Sequence, residues 1–393
     1  MRKKKGFSML ETLNTIPWNE LEHAYGKASE VPDLIRALAS PEPQVYKGAI
    51  GRLWYTVIHQ GTVYSSTAYV VPFFCELMEA PEVQNKAELL YYLATIARGA
   101  SYSDVHVREK ERRETPETQK QIAKELSWVQ AASNAVSDGY ATYLRVLHTS
   151  DPDLRANAAH TLSRCQSHSA EVVPVMKQHL AAEEIPLVSS SLLLSLGLLL
   201  PMNEEAALFF THVLQEAANP LVQIAAAMGC AFTMKEQTSQ EILKILLQGY
   251  ELPPVVKEQF GELPFAEVDF DACLSISLRR IGLSIAPLVV PTLIHAVRHS
   301  NAWSGLTLVH NLLFFALEDQ KITRTMTVAN LSDLQRDALT AIYETEELWG
   351  LGNMAFTVGH FFDPQFLAPY LHYSIWGRDD IGAFLAGQKV FRD

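Results

Sequence analysis

Residues 59 to 74, HQGTVYSSTAYVVPFF, bring a histidine, a glutamine, a glycine, a tyrosine and several hydroxyls into one short stretch. An imidazole can move a proton or hold a metal, and an amide with a phenol can orient a bound group. Trp54, His59, Gln60 and Tyr64 are therefore the candidate binding residues, and no residue is assigned a catalytic role. A structural role also accounts for them. Gly61 can supply the positive φ that ends a helix, His59 then falls in that helix's last turn, and Ser66 or Thr67 can cap the next one.

Other combinations offer less chemistry. His360 and Asp363 in WGLGNMAFTVGHFFD (349–363) give at most two metal ligands, too few for a zinc site without remote help. Aromatic helices capping the end of the chain explain that stretch more simply. His295 and His299 share a helix face at i, i+4, and His106 lies in a charged segment. The sequence holds no GxxxxGK[ST], HExxH, GxSxG or GxGxxG pattern. Cys75, Cys165, Cys230 and Cys273 are far apart, form no CxxC pair, and read as small buried hydrophobes in a reduced, cytoplasmic setting. No metal and no cofactor is expected.

The formal net charge of −12 opposes general binding to nucleic acid or to an anionic membrane, both of which require clustered positive charge. The N-terminal MRKKKGFSMLETLNTIPW starts with the basic run of a signal peptide, but Glu11, Thr12, Asn14 and Thr15 interrupt any apolar region after it. LLLSLGLLLPM (192–202) falls short of the roughly 20 residues needed to span a bilayer and reads as a core helix.

The elements that must position the candidate residues emerge from the prolines. Pro43, Pro81, Pro152, Pro186 and Pro220 are each followed two residues later by Val or Leu, and six later by Ala or Leu. Ten residues later come Leu53, Tyr91, Leu162, Leu196 and Cys230. Offsets advancing by four stack on one helical face, and proline is suited to the first helical position because its missing N–H would be unpaired there. Asp151 and Asn219 are natural N-caps. The intervals are 38, 71, 34 and 34 residues, and the long one contains an insertion, SYSDVHVREKERRETPETQKQ (101–121), expected to be a charged loop. LSWVQAASNAVSDG (126–139) reads as an added amphipathic helix, and YETEELW (343–349) as an exposed helix end. Segments 31–40, 70–80, 140–150, 172–182 and 289–300 read as first helices of helix–turn–helix units, and 1–28 can add a helix at the start. Pairs of this size cannot bury their apolar faces alone and must stack.

With SDPDLRANAAHTLSRC (150–165) as its best-formed unit, the chain resembles the HEAT-repeat family over 30–240 and more loosely over 285–320. That resemblance implies an all-α fold, an α-α superhelix (HEAT-like or armadillo-like solenoid) of about six to eight helical pairs. Residues 1–240 would be regular, and 241–393 irregular and continuous with them. Tyr46, Gln84 and Gln223 stand where Arg155 does, so a continuous Asp/Arg ladder is not expected. HQG followed by VPF also resembles a subset of bacterial HEAT-repeat proteins, a likeness that implies no chemistry. Of the enzymes in this family, deoxyhypusine hydroxylase uses His-Glu dipeptides, and none of the thirteen histidines here precedes Glu. The DNA glycosylases need a basic face, which 32 Lys+Arg against 44 Asp+Glu supply poorly. The phycobilin lyases hold a chromophore on a concave surface. The expected function is a non-enzymatic protein-binding scaffold whose partner is a protein with a basic surface, such as a toxin. The alternative is a small-molecule or chromophore-handling enzyme with His59 and Tyr64 in its site.

Overall fold

A computed structural model describes residues 10–83, 85–107, 110–363 and 375–388. Gln84 of the proline pattern and residues 1–9 lie outside the described residues. The fold is all-α and solenoid-like, in two compact units divided between Leu199 and Leu200. The loss of regularity that the sequence shows near 240 lies inside the second unit.

The first unit contains β1 (Glu22–His23), β2 (Gly26–Lys27), α1 (Val31–Ala37), α2 (Pro43–Thr56), β3 (Ile58–His59), β4 (Thr62–Val63), α3 (Thr67–Glu79) and α4 (Lys86–Ala97). After these come α5 (Tyr102–His106), α6 (Lys110–Arg113), α7 (Pro116–Asp138), α8 (Tyr140–Leu147), α9 (Pro152–Leu162), α10 (Ser169–Ala182) and α11 (Pro186–Leu199). Helices α1 and α2, α3 and α4, α8 and α9, and α10 and α11 pack as consecutive pairs, and the second helices α4, α9 and α11 pack side by side. Buried hydroxyls tie these neighbours: Thr161 donates to the Leu90 carbonyl at 2.9 Å and Ser191 to the Ala156 carbonyl at 2.6 Å. The proline rule holds where a second helix starts at Pro43, Pro152 or Pro186. Asp151 accepts from the Asp153 and Leu154 amides as the N-cap of α9. At offsets six and ten, Ala49, Leu53, Ala158, Leu162, Leu192 and Leu196 are all buried. Each large aliphatic among them contributes about 2 kcal/mol of burial.

The second unit contains α12 (Glu204–Glu216), α13 (Pro220–Met234), α14 (Gln240–Gln248), α15 (Pro254–Gly261), α16 (Phe270–Ile281), α17 (Ala286–Arg298), α18 (Ala302–Ala316), α19 (Asp333–Glu344), α20 (Asn353–Gly359) and α21 (Arg378–Leu385). Here α13, α16 and α18 form the side-by-side row, with α12, α15 and α17 packed against them as partners. Asn219 caps α13 as expected, through the Leu221 and Val222 amides. Among the described residues no single helix is long and apolar enough to cross a membrane.

Three expectations need correction. The segment after Pro81 does not start a helix there, because Asn85 accepts from the Glu88 amide and caps α4 at Lys86 instead. The charged insertion 101–121 is largely helical, not a loop. It forms α5, α6 and the start of α7, a 23-residue helix that packs on both α3 and α4 and carries the amphipathic 126–138 stretch in its second half. The described part of 1–28 is a 3₁₀ turn at Glu11–Thr15 followed by the β1–β2 hairpin, not an α-helix. YETEELW does hold an exposed helix end, with α19 stopping at Glu344 and Tyr343, Glu344, Glu346 and Glu347 exposed, but beyond it Leu348 is buried and the Trp349 indole donates to the Ile342 carbonyl at 3.1 Å.

Candidate functional site

The HQG turn is a β-hairpin, and this moves His59 from a helix end to a strand. Helix α2 stops at Thr56, whose hydroxyl bonds back to the Arg52 carbonyl at 2.9 Å. Strands β3 and β4 then pair antiparallel, Ile58 with Val63 and His59 with Thr62. Gln60 (φ 50°) and Gly61 (φ 80°) form the two-residue loop between them. Both φ values are positive, as the twist of a tight hairpin demands. The positive φ expected at Gly61 is present, but it closes a hairpin. Ser66 makes no capping bond, whereas the Thr67 hydroxyl donates to the Val57 carbonyl at 2.6 Å and accepts from the Tyr64 amide at 2.8 Å.

A second hairpin lies alongside. β1 and β2 pair Glu22 with Lys27 and His23 with Gly26. The Ala24 amide donates to the Thr56 carbonyl (2.9 Å), the Ser66 amide to the Glu22 carbonyl (3.2 Å), and the Glu22 amide to the Ser65 hydroxyl (2.8 Å). On the far side, the chain after α4 extends β4: the Ala100 amide donates to Gly61 (2.8 Å) and the Val63 amide to Ala100 (3.2 Å). Gly99 permits this approach, since a Cβ there would stand 2.1 Å from Val63 Cγ1. The two hairpins and residues 99–101 form a backbone-bonded rim of the first unit.

The rim's side chains gather around Tyr25 and Tyr64. The Tyr25 ring, 61% exposed, meets His59 edge-on at 5.5 Å, and the Arg52 guanidinium lies over it at 6.0 Å. Arg52 pairs with Glu30 at 2.9 Å, and the buried His23 imidazole is 3.6 Å from the same Glu30 oxygen. Burial lowers the His23 pKa, against the raising influence of Glu30. Tyr64 is half-buried. Burial raises its pKa first, followed by the nearby Tyr25, Glu125 and Tyr102 groups.

Bonded to the residues on either side of Tyr102 is Glu125 of α7, 6% exposed. It accepts from the Ser101 hydroxyl (2.7 Å), the Ser103 amide (2.7 Å), the Ser103 hydroxyl (2.9 Å) and the Gln121 amide group (2.8 Å). Burial pushes its pKa upward, but those four donors together outweigh it and hold the carboxyl below its ordinary value. All four donors are neutral, and among the described residues no cation pairs with Glu125.

The sequence-named residues thus separate. His59, Gln60 and Tyr64 belong to the rim, with Gln60 exposed in its turn. Trp54 instead faces the row of second helices, stacked on Tyr91 (6.1 Å, 13° between planes) and edge-on to Tyr92 (4.8 Å). Tyr91 in turn stands 6.1 Å from His160, whose buried imidazole is kept neutral by burial and then by Arg164 and Arg98. Tyr25, Tyr102 and Glu125 were not named from sequence. One signal was available for the first: EHAYG (22–26) and IHQG (58–61) both place a histidine just ahead of a positive-φ glycine.

In the second unit His360 lies 5.5 Å from His310, and Asp363 accepts from the Arg324 amide at 3.2 Å. Burial lowers the His310 pKa to about 4. Among the described residues no three histidine, cysteine or carboxylate side chains converge to hold a metal. The cysteines are free, and burial raises Cys165 and Cys273 to about 12 and Cys230 to about 11. The sequence matches no protein-family model and no curated protein.

Proposed function

We propose that this protein is a non-enzymatic protein-binding scaffold of the HEAT-repeat type, and that the hairpin rim of its first unit is the contact surface. The observation that carries the reading is the presentation of large tyrosines in the open on a rigid frame. Tyr25 is 61% exposed and Tyr102 55% exposed, at positions fixed by backbone hydrogen bonds between the two hairpins and residues 99–101. Tyrosine is favoured at the energetic centres of protein contacts because a large ring with two rotatable bonds buries much area at small entropic cost. The net charge of −12 favours a partner with a basic surface.

The test is co-purification at native expression, comparing the wild-type chain with Tyr25→Ala/Tyr102→Ala. Both side chains are exposed, so the double variant should fold normally. The reading expects one stoichiometric partner on the wild type and its loss from the variant. Recovery of that partner undiminished on the variant, or no partner under any condition, contradicts it.

A further inference from the structure

Two neighbouring helical pairs of the first unit are joined at their ends by an imidazole–imidazole hydrogen bond. His148 caps the C-terminus of α8, and His179 lies in the last turn of α10. His148 Nδ1 and His179 Nε2 are 2.9 Å apart, with ring centroids at 4.4 Å. Beside this contact Arg155 of α9 joins the same two places. It donates to the Thr149 carbonyl at 3.0 Å, one residue after His148, and to Glu183 at 2.8 Å, one turn after His179. The two links answer protons differently. Two neutral imidazoles share one hydrogen, one nitrogen donating and the other accepting. A first added proton keeps that bond and makes it charge-assisted. A second sets two N–H groups and two positive charges face to face with no acceptor between them. The charged groups around the rings give little relief. Glu183 faces His179 from α10 itself, but both its oxygens are held by Arg155, whose own charge opposes protonation of His179. Arg145, one turn back on α8, is engaged by Glu79 of α3, and Asp138 of α7 by His168. Asp151 of α9 is spent on capping the Asp153 and Leu154 amides, and α11 carries no titratable side chain.

We infer that His148 and His179 form a proton-operated link between neighbouring helical pairs, opened when both rings are charged, with the Arg155–Glu183 pair beside it as the hinge that stays closed. The inference does not rest on the scaffold reading. Glu183 stays ionised through the step: burial pushes its pKa up, but the bonds from Arg155 and the Ile185 amide outweigh that and hold it below its ordinary value. The His179 ring sits below its ordinary value, through burial first and then the facing His148, against the raising influence of Glu183. A histidine depressed in the folded state contributes its stability in full above the unfolded pKa near 6.5. That contribution is lost as pH falls from there toward the folded value. The link therefore holds at neutral pH and gives way on mild acidification.

The experiment follows the histidine-ring NMR signals of the full chain from about pH 8 to about pH 4.5, with the two rings assigned through His148→Gln and His179→Gln. In the wild type both rings should move together in two steps. The second should lie at least about one pH unit below 6.5, an about tenfold loss of proton affinity. In each single variant the remaining ring should titrate in one step, at higher pH than that second step. Amide exchange, corrected for its intrinsic pH dependence, should quicken at His148, Thr149 and Glu183 below the second step. In His148→Gln/His179→Gln, whose side-chain amides bond without titrating, exchange there should stay level. One-step titrations unaffected by replacing the other histidine would overturn the inference. So would acid-induced opening of the same size in the double variant, or a two-step titration with no change in exchange.

Discussion

Glu125 and Glu183 are two buried carboxylates of the same unit, both held below the ordinary carboxyl range by opposite strategies. Glu183 is gripped by Arg155, Nε to Oε2 at 2.8 Å and Nη2 to Oε1 at 2.9 Å, with side chains 6% and 13% exposed. Arg155 also donates to the Thr149 carbonyl, so the pair joins the α8–α9 turn to the end of α10. There the charge is cancelled where it arises. Glu125 is solvated by hydroxyl and amide groups instead, and its charge remains. A stacked-helix fold uses the first arrangement to fasten repeats. The second holds residues 101–103 against α7, beside the exposed Tyr102.

The comparison breaks most sharply at Arg155. Arg155→Met leaves Glu183 buried without its cation and should cost about 3–5 kcal/mol in urea unfolding. Adding Glu183→Leu should restore most of that loss. If the single variant costs under about 1 kcal/mol, the pair is not the fastening described here.

Next comes the packing that brings the rim together. Gly99→Ala would force a methyl against Val63 and should cost about 1–3 kcal/mol, with partial recovery in Gly99→Ala/Val63→Ala. Full stability in Gly99→Ala would mean that residues 99–101 do not lie on β4.

Glu125→Gln should be milder, at about 1–2 kcal/mol at neutral pH, because its neutral donors keep some bonding to the amide oxygen. Its effect depends on pH. The folded-state pKa of Glu125 lies below the unfolded value near 4.5, so its contribution is complete above that value. It disappears as pH falls through the folded pKa. The wild type should therefore lose its advantage over Glu125→Gln on acidification below about 4.5. An advantage that grows toward low pH would reverse the assignment.

The smallest effect is expected at Gln60, whose φ of 50° suits asparagine better. Gln60→Asn should stabilise the hairpin by about 0.5 kcal/mol and leave both carboxylates untouched.

The stacked pairs were legible because each helix start carries its own chemistry. Pro152 behind Asp151 and Pro220 behind Asn219 specify both a boundary and a face. Pro81 misled because Asn85, a better cap, follows it. The hairpins could not be read from periodicity, since two-residue strands do not alternate. Only Gly61 and the residues around it marked the place. His59 and Tyr64 were visible as unusual residues beside that glycine. Tyr102 was hidden in the charged stretch 101–121 read as a loop and Glu125 just beyond it, and the long-range pairing of Ala100 with β4 brings residues 101–103 to the rim. Trp54 looked equally suited to the site, but the turn of α2 aims it at Tyr91 and Tyr92.

The most direct measurement is a carboxyl-carbon NMR titration of the folded protein, with the Glu125 signal assigned by its absence in Glu125→Gln. The account predicts a pKa below 4.5 that stays depressed in a Tyr25→Ala/Tyr102→Ala background, since the four donors lie inside the rim. A Glu125 carboxyl that titrates above 4.5 would mean that burial outweighs the four donors, and the contrast with Glu183 would be wrong.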